Sequence, residues 1–211
     1  MSTNTEESAF QGNSAINSLQ CSSKNITVSE IYLDGKLKKA ELVDENEKSY
    51  GIFIHSLILS NSKQVVGLKS NQLNITEDEF EKAINWYTDS RGFNKEFIES
   101  IAPKVTDLTL QPDEHLKASA YMINGKFRLI TKGEPESLLK RCTFVLSESR
   151  FIKITRRLLR EINEILKVMV KKGLNVYAIA IKDIAKLPMT NRIGSEMDDL
   201  TLVALVGIGK A

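Results

Sequence analysis

Two dipeptides, Asp34-Gly35 and Asn124-Gly125, constrain this chain more than any other feature in it. Each separates two stretches of strand-forming residues, and an Asx-Gly pair supplies the two left-handed residues that a type I′ turn needs. Each therefore predicts a β-hairpin. The arms are residues 27–33 and 36–43 in the first hairpin, and 117–123 and 126–131 in the second. Strands that pair locally, with helices gathered in separate blocks, predict an α+β fold with a mostly antiparallel twisted sheet flanked by helix pairs. A doubly wound nucleotide fold is disfavoured, because neither G-x-G-x-x-G nor G-x-x-x-x-G-K-[ST] occurs.

The helical blocks follow from spacing and caps. Residues 50–60 carry Ile52, Phe53, Ser56, Leu57 and Leu59 at helical intervals and predict a buried helix. Thr76-Glu77-Asp78-Glu79 forms a capping box ahead of Phe80, Ala83, Ile84 and Tyr87, with Gly92 as the stop. A short helix over 94–101 precedes Pro103, and Pro135 opens another over 135–142. Residues 155–172 give the clearest stripe, Leu158, Leu159, Ile162, Ile165, Leu166, Met169 and Val170, closed by Gly173. The basic side chains on that helix read as a solvated face rather than a docking face. Strands are expected over 64–68, 176–181 and 200–206. Residues 1–25 bury too little to offset chain entropy and are expected to be a flexible tail or linker, leaving 26–211 as the domain. The apolar block 200–209 reads either as a strand added to a sheet edge or as a chain cut before a neighbouring domain. Trp86 and Tyr87 are expected to be packing anchors, and Cys142 a small buried residue.

Composition narrows the chemistry. Of 211 residues, 29 are Lys or Arg and 27 are Asp or Glu, a net charge of +2 that gives no field to attract nucleic acid or a membrane surface. Cys21 and Cys142 cannot build a disulfide framework or a four-ligand zinc site, and His55 and His115 leave little for His-based catalysis. The longest apolar runs, 50–60 and 200–208, fall far short of the roughly 18–20 residues of a membrane-spanning helix. A cytoplasmic location is expected, with neither a bound metal nor direct membrane contact.

The informative segment is Thr131-Lys132-Gly133-Glu134-Pro135-Glu136, leading to Leu138-Leu139-Lys140-Arg141-Cys142. A strand there delivers Lys132 and Gly133 to the turn that opens a helix. Lysine offers a point charge to a phosphate, and glycine lets a ligand approach the backbone. A plain β-to-α turn with a solvated lysine is the other reading of so short a pattern.

That run resembles the T-K-G-A-P-E…L-L-x-R-C signature of the nucleotide-binding domain of P-type cation-transporting ATPases, and it looks most like the calcium-pump branch. Four further blocks resemble the family in the same order. They are Asn25-Ile26-Thr27-Val28 with Ile31-Tyr32, Thr76-Glu77, Gly173-Leu174-Asn175-Val176-Tyr177-Ala178, and Asp199-Leu200-Thr201 through Gly209. Leu59-Ser60-Asn61-Ser62 stands where the family has a C-N-D-A-like run. The resemblance implies a cleft that binds ATP as Mg-ATP on an antiparallel sheet, with phosphorylation and actuator domains of a pump as partners. Lys132 and Gly133 match the residues lining the adenine pocket, and Glu77 matches the acid that bonds the adenine amino group. Leu110 falls in the segment where the family stacks adenine on a Phe. The family's lysine in that segment falls near Leu116, with Lys117 or His115 beside it, and its phosphate-side Arg falls at Asn175. Glu134 replaces a small Ala. These departures imply weak nucleotide binding. The D-K-T-G-T loop with the phosphorylated Asp is not present before residue 25, so catalysis by this chain alone is not expected. A free-standing regulatory or interaction paralogue that kept the scaffold and lost the ligand is the alternative.

Overall fold

A computed structural model of the chain describes residues 26–61, 77–108, 115–187 and 197–210, with the side chains of Glu77 and Asp78 outside the description. The expected strand over 64–68, the cap residue Thr76, the segment around Leu110 and the tail 1–25 lie outside the described residues.

The strands are β1 (Ile26–Leu33), β2 (Lys36–Lys39), β3 (Lys104–Leu108), β4 (Leu116–Ile123), β5 (Lys126–Gly133), β6 (Cys142–Ser147), β7 (Arg150–Lys153), β8 (Asn175–Ile184) and β9 (Leu200–Lys210). The helices are α1 (Tyr50–Ser60), α2 (Glu77–Ser90), α3 (Lys95–Ile101), α4 (Pro135–Leu139) and α5 (Arg156–Lys171). One sheet runs in the order β2-β1-β9-β8-β5-β4-β3, and every pairing along that path is antiparallel. The β6–β7 hairpin joins it through a parallel contact of β6 with β9. The α+β class and the mostly antiparallel sheet are as the sequence predicts.

Both Asx-Gly turns form as expected. Asp34 and Gly35 have φ of 51° and 76°, Asn124 and Gly125 of 50° and 74°. The first hairpin is shorter on its return arm than expected, because a 3₁₀ turn over Ala40–Leu42 replaces the strand after Lys39. The helix expected over 135–142 stops at Leu139, and Cys142 opens β6 instead. Caps set the other ends. Asn94 accepts from the Phe97 amide at 2.8 Å, and Thr155 accepts from the Leu158 amide at 3.2 Å. Beyond α5, Gly173 at φ 78° lets the Leu174 amide reach the Met169 carbonyl at 3.3 Å, a Schellman closure.

Two cores lie on opposite faces of the sheet. On one, α1, α2 and α3 cover Ile31, Leu33, Ile130, Tyr177, Ile179 and Val206. On the other, α4 and α5 cover Leu129, Ala178, Ala180, Leu202 and Leu205. Helix α1 buries Tyr50, Phe53, Ile54, Leu57, Ile58 and Leu59, too many for one stripe, because both the sheet and its helical neighbours close around it. On α5, Ile162, Leu166 and Met169 are buried as the stripe requires, whereas Val170 is exposed.

Strand β9 overturns the expectation of an edge strand. It lies between β1 and β8, and ten of its eleven residues are buried, all but Lys210. A strand covered on both faces must be apolar throughout, which is why 200–208 carries no alternation.

The β6–β7 hairpin was not expected, and its turn explains why. Glu148 and Ser149 take φ of 47° and 61° without glycine or asparagine. Such residues in the left-handed region cost roughly 1–2 kcal/mol each. Tertiary contacts offset that cost. Asp34 Oδ1 accepts from the Glu148 amide at 2.8 Å and also from the Ser49 hydroxyl, and Ser49 Oγ accepts from the Ser149 amide at 2.9 Å. The two hairpin turns are thereby fastened to each other and to the start of α1. Replacing Asp34 with Ala removes both acceptor contacts, and a loss of about 2 kcal/mol is expected in urea unfolding. Asp34→Asn, which keeps an acceptor oxygen, is expected to lose less than half of that.

Candidate nucleotide-binding site

The second hairpin sets the site. Its two-residue turn pairs Ile123 with Lys126, and counting outward places Lys117 directly opposite Lys132. Both side chains lie on the face shared with Ile130 and Tyr121, the face covered by α1 and α2. Like charges directly opposite on a sheet repel, so this row favours an anion above it. The pairing also assigns the segment's lysine. Leu116 is buried on the opposite face, so Lys117 stands in the Lys132 row.

Helix α2 contributes an aromatic ring that the sequence reading did not connect with the site. Phe80 is 7% exposed, meets Tyr177 edge-on at 4.7 Å between centroids, and has the Lys132 ammonium 5.7 Å from its ring centre. A cation over a ring face is worth about 0.5–2 kcal/mol, depending on desolvation. The signal was present in the sequence, since the capping box puts Phe80 on the buried stripe of α2. What it lacked was the docking of that stripe on β8 and β5. Burial pushes the Tyr177 phenol well above its ordinary pKa, and its hydroxyl has no hydrogen-bond partner among the described residues.

Gly133 ends β5 at φ 156°. A Cβ there would stand 2.3 Å from the His115 carbonyl oxygen and 2.7 Å from Leu116 Cδ2. The missing side chain therefore lets the chain entering β4 lie close against the end of β5, whatever a ligand requires. That approach is held by the Glu134 amide donating to His115 O at 3.3 Å. Glu134 is exposed and accepts from the Ser137 hydroxyl at 3.1 Å.

Asn175 begins β8, half-buried, on the same face as Tyr177 and Ile179, and Ile179 is the residue opposite Lys132. Four residues of strand separate Asn175 from that row, roughly 13 Å at ordinary strand rise. Glu77 is the first residue of α2, three positions before Phe80. Leu110 lies outside the described residues. Lys117, Lys132 and Asn175 thus share one face, with Gly133 at the strand end.

On β3, Asp107 pairs with Ser119, two residues along β4 from Lys117. Burial opposes ionisation of Asp107, but bonds from Lys104 and Ser119 and the charges of Lys104 and Lys117 outweigh it and hold its pKa below the ordinary 3.8. Ser119 Oγ donates to Asp107 at 2.6 Å. A carboxylate with a depressed folded pKa stabilises the fold above its unfolded pKa, and that contribution is lost as pH falls through the lower folded value. Asp107→Asn is expected to flatten the acid limb of a stability–pH curve below about pH 4 while leaving the neutral region almost unchanged.

Elsewhere, Tyr87 is buried as expected, but Trp86 is 64% exposed, not the buried anchor expected. Cys142 is partly exposed as a residue, while burial of its thiol pushes the pKa up to about 12, so it is not a thiolate nucleophile.

Residues 50–209 match the family model of the P-type ATPase cytoplasmic domain N. The chain belongs to that family. It is 22% identical over 157 residues to the calcium-transporting ATPase 1 of Bacillus cereus (strain ATCC 10987 / NRS 248), covering 74% of this chain and 17% of that protein. It is 34% identical over 91 residues to the plasma membrane calcium-transporting ATPase 3 of Rattus norvegicus, covering 41% of this chain and 7% of the pump. The human protein of the same name is also 34% identical over 91 residues, which is 8% of its length. The chain thus spans less than a fifth of the curated relatives it matches. Among the described residues no helix is long and apolar enough to cross a membrane.

Proposed function

We propose that this chain is the ATP-binding module of a P-type cation-transporting ATPase. It holds the nucleotide on the α2 face of its sheet and presents the phosphates to a phosphorylation domain elsewhere in the pump. The observation that carries this reading is the juxtaposition of Lys117 and Lys132 on one face beside Phe80. Two ammonium groups over a strand pair suit a polyphosphate, and the buried Phe80 ring fixes where the Lys132 ammonium stands. Lys132 and Lys117 would hold the phosphates or the ring edge, Glu77 would accept from the adenine amine, and Gly133 would keep the rim low. ATP supplies the phosphoryl group, while the residues of this chain bind and orient it and transfer nothing themselves.

Binding is expected to be weak. Asn175 supplies no charge where the family has an arginine, Glu134 adds an acid beside the turn, and Leu110 stands where a stacking ring is usual. Isothermal titration of the chain with Mg-ATP is expected to give a dissociation constant near or above 0.1 mM, a free energy of about 5.5 kcal/mol or less. Lys132→Ala is expected to weaken it roughly tenfold or more, the range for losing one charge-assisted contact. Micromolar affinity would remove the weak-site reading, and no binding at 10 mM ATP would remove the nucleotide reading. The second outcome favours a regulatory paralogue, which the neutral Asn175 already supports.

A further inference from the structure

The rim of the sheet carries a feature that nucleotide binding leaves unused. Strand β7 pairs only with β6 among the described residues, and all four of its residues are exposed. Its turn pair, Ser147 with Arg150, and the Ile154 amide donating to Thr143 O at 2.8 Å fix the phase of the ladder. Arg150, Ile152 and Ile154 therefore face β6. The amides and carbonyls of Phe151 and Lys153 point outward, two donors and two acceptors in strand register.

The side chains of that edge have one sign and an apolar centre. From Glu148 to Arg160 the chain carries Arg150, Lys153, Arg156, Arg157 and Arg160 against the single acid Glu148. Part of this charge is already engaged, with Arg157 on Glu161 at 2.9 Å and Arg150 at 3.8 Å from Glu148. Phe151 and Ile152 are 53% and 42% exposed and stand on opposite faces of the strand. Protein edges are commonly shielded by lysine, short length or burial, and β7 has the charge but also two open apolar side chains. A second copy of this chain fits poorly. An antiparallel self-pairing through the outward residues would bring together two edges that each carry Arg150 and Lys153.

We propose that the outer edge of β7 takes an extended acidic segment of a partner protein as an added strand. The segment's backbone bonds to Phe151 and Lys153, its apolar residues cover Phe151 and Ile152, and its carboxylates meet Arg150, Lys153 and Arg156. Backbone bonds give the affinity in this mode, and the flanking charges select the sequence.

The test uses the whole chain and a ten-residue peptide of two central valines flanked by glutamates, which offers one valine to each face, followed by amide chemical shifts and hydrogen exchange. The expected result is shift and slowed exchange confined to residues 150–154, with no response to the same peptide carrying lysines in place of the glutamates. Lys153→Pro removes one outward amide and no bond to β6, so the hairpin is kept and affinity is expected to fall roughly tenfold. Should the proline disturb the hairpin, Arg150→Glu with Lys153→Glu keeps the strand and is expected to exchange the preference from the Glu peptide to the Lys peptide. The proposal is overturned by no response at millimolar peptide, or by unchanged binding to a folded Lys153→Pro variant. It is equally overturned by shifts that gather at Lys117 and Lys132, where the peptide would be acting as a polyanion in the nucleotide site.

Discussion

Gly133→Ala is expected to destabilise the chain by about 3 kcal/mol, with a fall in Tm of roughly 10 °C. The added methyl would sit 2.3 Å from the His115 carbonyl oxygen, a backbone atom held by the Glu134 amide, and it cannot move without parting β4 from β5. The Leu116 side chain, 2.7 Å away, can turn aside, but Leu116 Cα at 2.9 Å cannot. Gly35→Ala separates conformation from space. That glycine has φ 76° and nothing within 4 Å, so only the left-handed backbone cost of about 1 kcal/mol is expected. Thermal unfolding of the two variants side by side checks this, and equal shifts would mean that His115 and Leu116 do not lie close against Gly133. The same comparison bears on the site. A Gly133→Ala chain that folds at low temperature is expected to bind nucleotide more weakly, because the Lys132 end of β5 must have moved.

Phe80→Ala is expected to cost about 3–4 kcal/mol, the usual range for emptying an aromatic position in a core. The ring fills the space between α2, Tyr177 and the Lys132 stem, with the centroids 4.7 Å apart, and Tyr177 is fully buried beneath it. Phe80→Leu keeps most of the volume and loses the edge-on ring contact and the cation over the ring face. About 1–1.5 kcal/mol is expected for that change. Urea unfolding gives the stabilities. The Lys132 side-chain shifts give a second reading, because they lose the ring current in both variants while only Phe80→Ala loosens the fold. A Phe80→Leu chain with unaltered Lys132 shifts would show that the ammonium does not rest over the ring.

The two hairpins with Asx-Gly turns were legible because their signal is local. Two residues that tolerate positive φ determine the turn, and the turn determines the register outward as far as Lys117 and Lys132. The α5 stripe, its Thr155 cap and its Gly173 stop were legible for the same reason. The β6–β7 hairpin was not. Neither Glu148 nor Ser149 favours the positive φ that the turn needs, and Asp34 and Ser49, which hold them in place, are about 100 residues away in the chain. The helix expected over 135–142 ends at Leu139 because Cys142 is recruited to β6, and the Leu200 amide donates to the Arg141 carbonyl at 3.0 Å. Trp86 and Tyr87 show how little adjacency says about burial, since one turns to solvent and the other under α2.

What the sequence determined by itself is what short-range chemistry settles: an α+β chain, the two Asx-Gly turns, the amphipathic helices, and the strand-to-turn run from Thr131 to Glu136. What only the tertiary structure decided is the order of the strands and the neighbours of each site residue. Strand β9 is as apolar as a central strand must be, yet only pairing with both β1 and β8 distinguishes a central strand from a hydrophobic end. Phe80 and Lys132 are each placed by local rules, but they meet because α2 packs on one particular face of the sheet. Burial of apolar area drives that packing and has no direction along the chain. Residues fifty apart are therefore brought together by the sum of many contacts, which no single stretch of sequence displays.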